Sequence, residues 1–207
     1  MKYDFESIID RKNKDALACD VIPIEGAKVQ EGFSHIPMWV ADMDFRSPAC
    51  VNDALAERCR HGLYGYSDAS EAYYEAVRNW FFSRNGWEID VRNIVTAPGV
   101  VFAIHQIITA LTKPGDSVLI QRPVYYPFSS AVTKLGRNLV NNALVRKDGR
   151  YEIDFEDFEK KISDKRVKLF ILSNPHNPVG RVWTREELLK MSEILVRHGV
   201  YVIADEI

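Results

Sequence analysis

Residues 167–172, Val-Lys-Leu-Phe-Ile-Leu (VKLFIL), run straight into residues 173–180, Ser-Asn-Pro-His-Asn-Pro-Val-Gly (SNPHNPVG). A short apolar run bounded by turn residues reads as a buried strand. Its continuation is unusual, because two Asn-Pro pairs fall within five residues. Proline fixes its own φ and holds the preceding residue extended, so Pro175 and Pro178 leave Asn177 few conformations. Either X-Pro bond is also a candidate for the cis form. The stretch therefore predicts a buried strand ending in a stiff corner that aims an amide.

Outward from this corner, strands and helices alternate. Toward the C-terminus, Thr184 and Glu187 form a capping-box pattern for a helix over 185–198, followed by a strand from Tyr201 to Ala204. Upstream the pattern predicts a helix over 155–162, a strand near 139–145, and a helix from Tyr125 to Leu135 stopped by Gly136. Before these come a strand from Ser117 to Gln121, a helix from Val100 to Leu111 and a strand from Ile94 to Ala97. Asp68 with Glu71 resembles a capping box for a helix closed by Gly86, and Ser47-Pro48 opens a helix to about His61. Residues 1–46, broken by Pro23, Gly26, Gly32 and Pro37, read as an irregular arm. Strands separated by helices imply a mostly parallel sheet covered on both faces, an α/β fold in three layers.

In such sheets ligands bind beyond the carboxyl ends of the strands. Four strand ends here offer Pro98-Gly99-Val100 opening a helix, Arg122-Pro123-Val124-Tyr125-Tyr126, the Asn-Pro corner, and Asp205-Glu206. A helix N-terminus with glycine suits a phosphate. An aromatic suits the face of a flat ring, an amide suits a ring oxygen, and a carboxylate keeps a ring nitrogen protonated. Pyridoxal phosphate has all four handles. Neither GxGxxG nor GxxxxGK[ST] occurs, which argues against a nucleotide. Taken singly, each feature has a plainer reading. Asn-Pro corners end many strands, Asp205 and Glu206 suit a helix cap or solvent contact, and Tyr125 and Tyr126 suit packing. TAPGVV suits an ordinary turn, Tyr64 and Tyr66 loop anchors, and Trp39 an apolar plug. His176 reads as a surface or turn residue, while His35, His61, His105 and His198 carry no signal.

Composition bounds the rest. The 207 residues are 46% hydrophobic and 27% charged with a formal net charge of −2, enough for a sizeable core and without the basic excess expected of a nucleic-acid or anionic-membrane binder. Cys19, Cys50 and Cys59 show no disulfide or metal-ligand spacing, so no metal is expected and a reducing cytoplasm is. The first residues lack the apolar stretch of a signal peptide, and no run approaches membrane-spanning length.

The segments MWVADMDFRSP (38–48), YGYSD (64–68), TAPGVVFAI (96–104), RPVYYPF (122–128), SNPHNPVGRVW (173–183) and VIADEI (202–207), in this order, resemble the fold-type I pyridoxal-phosphate enzymes, the class I/II aminotransferase superfamily. MWVADMDF is similar to the cystathionine β-lyase, or carbon-sulfur lyase, branch, including its maltose-regulon modulator type. That resemblance implies Asp205 on the pyridinium nitrogen, Asn177 on the ring oxygen, Tyr125 stacked on the ring, and the N–H groups of Val100 and Val101 holding the phosphate beside Gly99. It implies Tyr66 reaching the phosphate from a partner subunit of a homodimer, and Trp39 and Ala41 lining the pocket for a small amino-acid substrate. The implied reaction is β-elimination from cystathionine or another cysteine S-conjugate, yielding a thiol, pyruvate and ammonia; a class I aminotransferase is the alternative. Residues 1–46 would then belong to the arm and active-site cover, and 47–207 to a truncated large domain without its C-terminal domain. The Schiff-base lysine and the main substrate-carboxylate arginine of the family would lie beyond Ile207, so no catalytic lysine is nominated and the 207 residues alone are expected to be inactive and poorly stable.

Overall fold

The structure is a computed structural model and describes residues 3–207. It divides into two units, one running to Glu71 and the other from Ala72 to Ile207.

The first unit holds a single turn of helix, α1 (Leu17–Asp20), and the longer α2 (Ala49–His61), joined by irregular chain. Its most specific contact is polar: the Arg11 guanidinium reaches Asp42 at 2.6 Å, Asp44 at 2.9 Å and the Met43 carbonyl at 3.4 Å. Phe5 meets the edge of Phe45 at 5.1 Å between ring centroids. Helix α2 begins one residue later than expected. Pro48 is its N-cap, with ψ at 141°, so Ser47 lies outside the helix and no side chain caps it. Gly62, at φ 73°, ends it in the left-handed conformation that glycine adopts most readily.

Helix α3 (Glu71–Asn85) leads into the second unit. The Asp68–Glu71 capping box is corrected: Glu71 is the first helical residue rather than the third, and Asp68 accepts instead from the N–H of Ala69 at 2.8 Å. A short 3₁₀ turn, Val91–Asn93, comes next. The strand expected over 94–97 is extended chain without a ladder, because no neighbouring strand among the described residues pairs with it and Val95 is exposed.

The rest keeps to the alternating pattern. Helix α4 (Val100–Leu111), strand β1 (Ser117–Ile120), helix α5 (Tyr126–Lys134), strand β2 (Asn138–Asn141), the pair β3 (Val145–Lys147) and β4 (Arg150–Glu152), helix α6 (Phe155–Ile162), strand β5 (Val167–Ser173), helix α7 (Arg185–His198) and strand β6 (Tyr201–Asp205) complete the chain. Four strands form one parallel sheet in the order β2-β1-β5-β6. The single strand expected near 139–145 is corrected to β2 plus a separate antiparallel hairpin, turned by Asp148-Gly149 at φ 49° and 79°. Both residues at positive φ are what a two-residue hairpin turn requires.

Alternation along the central strands sends side chains to two faces. Val118 and Ile120 of β1, Leu169 and Ile171 of β5 and Ile203 of β6 pack against Ile104 and Ile108 of α4 and Phe128, Ala131 and Val132 of α5. On the opposite face Leu119 and Phe170 meet Phe158 and Ile162 of α6 and Met191, Ile194 and Leu195 of α7. The result is helix, sheet, helix, as the alternation predicted. Helix α7 carries the full capping box, with Thr184 accepting from the N–H of Glu187 at 3.2 Å and Glu187 accepting from that of Thr184 at 2.7 Å.

Candidate active site

All four sheet strands point the same way, so their carboxyl ends share one edge. Register fixes who stands there. Leu119 of β1 lies opposite Phe170 of β5, and Ser173, the last residue of β5, lies opposite Asp205, the last of β6. The N–H of Asn174 donates to the Asp205 carbonyl at 2.9 Å, which seats the start of the Asn-Pro corner directly on the β6 terminus. The Asp205 carboxylate is half-buried and accepts from the N–H of Ile207 at 3.2 Å.

The N-terminus of α4 reaches the same edge. Its far end, Leu111, is joined to the start of β1 by a turn over 112–116, and the helix lies on β5 and β6, so it runs opposite to the strands and opens toward their carboxyl edge. It packs through Ile104 and Ile108 on Ile171 and Ile203. Gly99 is its N-cap and no side chain satisfies the first N–H groups, which leaves the positive end of the helix dipole open. Gly99 itself is extended, and a Cβ there would meet no protein atom within 4 Å. Neither backbone conformation nor packing against the protein demands glycine at that point.

Tyr125 caps α5 from the loop after β1. Its half-buried ring meets the edge of Phe128 at 5.8 Å and leans on Tyr126 at 5.6 Å. Gly99, Val100, Val101, Tyr125, Asn177 and Asp205 thus all belong to this edge. Trp39, Ala41 and Tyr66 lie in the first unit, all exposed. A cleft of about 500 Å³ between the β3–β4 hairpin and residues 179–182 is lined by Arg146, Arg150, Tyr151 and Arg181 among others, and includes none of the edge residues. Among the described residues no group of acidic, histidine and cysteine side chains could hold a metal, and no helix is long and apolar enough to cross a membrane.

The Asn-Pro corner is held from inside. The Ser173 hydroxyl donates to the Pro175 carbonyl and accepts from the N–H of Asn177, both at 3.2 Å. The Asn174 side chain accepts from the N–H of Trp183 at 3.0 Å, and the Trp183 indole donates to the Ser173 carbonyl at 3.1 Å. Both Asn-Pro peptide bonds are cis, as is Arg122-Pro123.

His176 is not the surface residue its polarity suggested. It is 2% exposed, its ring meets the edge of Trp183 at 5.4 Å, and Nε2 sits 3.0 Å from the Pro123 carbonyl. Burial pushes its pKa down, opposed by backbone carbonyls led by that of Pro123. Next to it Arg181 is buried over the Trp183 ring at 4.6 Å and paired with Glu187.

Comparison with known proteins places the chain in a family. Residues 42–207 match the model of the aminotransferase class I and II family. The chain belongs to that family. Among its class I and II relatives, Cystathionine beta-lyase PatB of Bacillus subtilis is 51% identical over 172 residues, covering 83% of this chain and 44% of PatB. Protein MalY of Escherichia coli is 30% identical over 206 residues, covering 99% of this chain and 52% of MalY. The crystal structure of cystalysin from Treponema denticola, which contains a pyridoxal 5'-phosphate cofactor, superimposes with a TM-score of 0.91 at 37% identity over 100% of this chain and 52% of that one. The PLP-bound C-S lyase from Staphylococcus hominis gives 0.86 at 37% identity over 99% and 51%. The chain spans about half the length of these relatives.

Proposed function

We propose that this chain is the cofactor-binding part of a pyridoxal-phosphate-dependent carbon-sulfur β-lyase that cleaves cystathionine or a related cysteine S-conjugate to a thiol, pyruvate and ammonia. The observation that carries the reading is one sheet edge presenting an uncapped helix N-terminus, Tyr125, Asn177 and Asp205 together. The names of the most similar relatives support the lyase over the aminotransferase, which would use the same cofactor contacts.

The residues present fit the cofactor. The N–H groups of Gly99, Val100 and Val101 would hold the phosphate through main-chain contacts, as valine side chains offer no donor. Tyr125 would lie against the ring, Asn177 would donate to its oxygen, and Asp205 would keep its nitrogen protonated. When bound, the cofactor supplies an electron sink for the carbanion left by loss of the α-proton. Residues 1–46 would act as an arm over the site, with Trp39 and Ala41 toward the substrate, and 47–207 as the large domain. Tyr66 would reach the phosphate of a partner subunit in a homodimer. We assign the protein to the cytoplasm, and the Schiff-base lysine to sequence after Ile207.

The test uses the full-length protein that carries this chain. Incubated with L-cystathionine, it should release pyruvate and ammonia without any added 2-keto acid; pyruvate release that depends on a keto acid would favour the aminotransferase. Asp205→Ala should lower kcat by at least about a hundredfold, the scale for losing a preorganised charge at the reacting group. The 207 residues assayed alone should show no turnover.

A further inference from the structure

The structure points to a role for His176. We infer that it is a positioning residue, whose ring N–H locks the loop carrying Asn177 to the loop carrying Tyr125 and so fixes the distance between two side chains that grip one cofactor ring. This rests on the cofactor reading above.

Three observations carry it. First, Nε2 of His176 lies 3.0 Å from the carbonyl of Pro123, a contact between residues 53 apart in sequence. Asn177 is the next residue after one partner, and Tyr125 is two residues after the other. Neither of those two side chains has another described hydrogen bond tying its loop to the other's. Second, the imidazole has nowhere else to go. The N–H of His176 donates to the Arg181 carbonyl at 2.6 Å, and its carbonyl accepts from Gly180 at 2.8 Å, so the backbone is pinned on both sides. Trp183 closes off the ring, which is 2% exposed. Third, the ring's chemistry allows one assignment. A carbonyl only accepts, so Nε2 carries the proton, while Nδ1 is buried with no hydrogen-bond partner. A second proton on Nδ1 would place an unpaired charge in the interior, and burial accordingly disfavours it. The group is a neutral, single N–H pin.

A pin of this kind has a stereochemical signature. Glutamine carries its amide nitrogen at about the reach of Nε2, and asparagine at about the reach of Nδ1. In the full-length protein, stripped of cofactor and reconstituted, His176→Gln should bind pyridoxal phosphate within about threefold of the unsubstituted protein. His176→Asn should bind it about tenfold more weakly, the loss expected of one buried hydrogen bond, and should weaken the visible circular dichroism of the bound cofactor. Cofactor-free, both variants should fold, with His176→Asn melting a few degrees below His176→Gln because it alone gives up the bond to the Pro123 carbonyl. Asparagine binding as tightly as glutamine overturns the inference. So does glutamine failing alongside asparagine, whether through lost binding or lost folding, because that describes a packing role for the ring. If the unsubstituted protein takes up no pyridoxal phosphate, the cofactor reading itself is at fault and this inference falls with it.

Discussion

Phe33 and Phe170 are the same residue in two settings. The first, in the unit ending at Glu71, is 72% exposed; the second, at the centre of the sheet, is 0% exposed. The contrast runs through both units. Before residue 72, Ala18 is the only buried apolar residue among those described, although Phe5, Ile8, Ile24, Ile36, Met38, Trp39, Phe45 and Leu55 are all there to be buried. After it, every strand of the sheet has a helix on at least one face. Apolar content alone does not make a core; a second layer does. The first unit has one turn of helix and one longer helix with no buried residue, and it relies on polar clasps such as Arg11 with Asp42 and Asp44.

The sharpest way to break this contrast is to truncate both phenylalanines in the full-length protein. Phe170→Ala should cost about 3–5 kcal/mol in urea denaturation, the usual range for a buried ring, and Phe33→Ala less than about 0.5 kcal/mol, as for a surface site. A large loss at Phe33 would mean that the first unit is covered in the full-length protein. The helix starts offer a smaller version of the same comparison. Thr184→Ala removes a working cap and should cost about 1 kcal/mol, whereas Ser47→Ala removes no cap and should leave α2 unchanged, both read by thermal or chemical denaturation.

How much of this was legible divides along the same line. Helices α4, α6 and α7 fall on the residues that the sequence indicated, because periodicity, Thr184 with Glu187, and Gly99 at a helix start are local signals. The segment 94–97 misled because a strand exists only if a neighbour accepts its hydrogen bonds, and that neighbour is not encoded nearby. The hairpin over 145–152 was missed even though Asp148-Gly149 is a strong turn pair, because three-residue strands leave almost no period to detect. At the site, Tyr125, Asn177 and Asp205 could be placed after the strands β1, β5 and β6 from sequence, and the parallel register brings those ends to one edge; Gly99 comes to it through helix α4, since 94–97 pairs with no strand among the described residues. His176 could not be found that way. Its polarity argues for the surface, and only the fold around Trp183 makes it an interior group.

Two smaller effects sharpen the picture of the clasps. Arg11→Met should make residues 12–41 more open to limited proteolysis than the unsubstituted arm, with no change in cuts after residue 72, because the three bonds from Arg11 to 42–44 close that span. The least costly test is titration. Hydrogen bonds from the Arg166 side chain and backbone hold the Asp164 carboxyl down at about 2, from an ordinary 3.8. A lowered folded-state pKa stabilises at pH values above the unfolded one, so the contribution of this exposed pair is complete above about pH 4 and is lost as pH falls toward 2. Carboxyl NMR should find Asp164 titrating near 2, and Asp42 also below its ordinary value because Arg11 binds it.

The strand order β2-β1-β5-β6 has a consequence for the ribosome. Ser117 of β1 pairs with Val167 of β5, fifty positions later (167 − 117 = 50). At roughly 5–20 residues per second, the middle strand waits several seconds after its own synthesis for the neighbour that will occupy one of its sides. Through that interval VLI is a sticky half-finished edge in a growing polypeptide, which makes β1 the place to look for chaperone capture on the nascent chain.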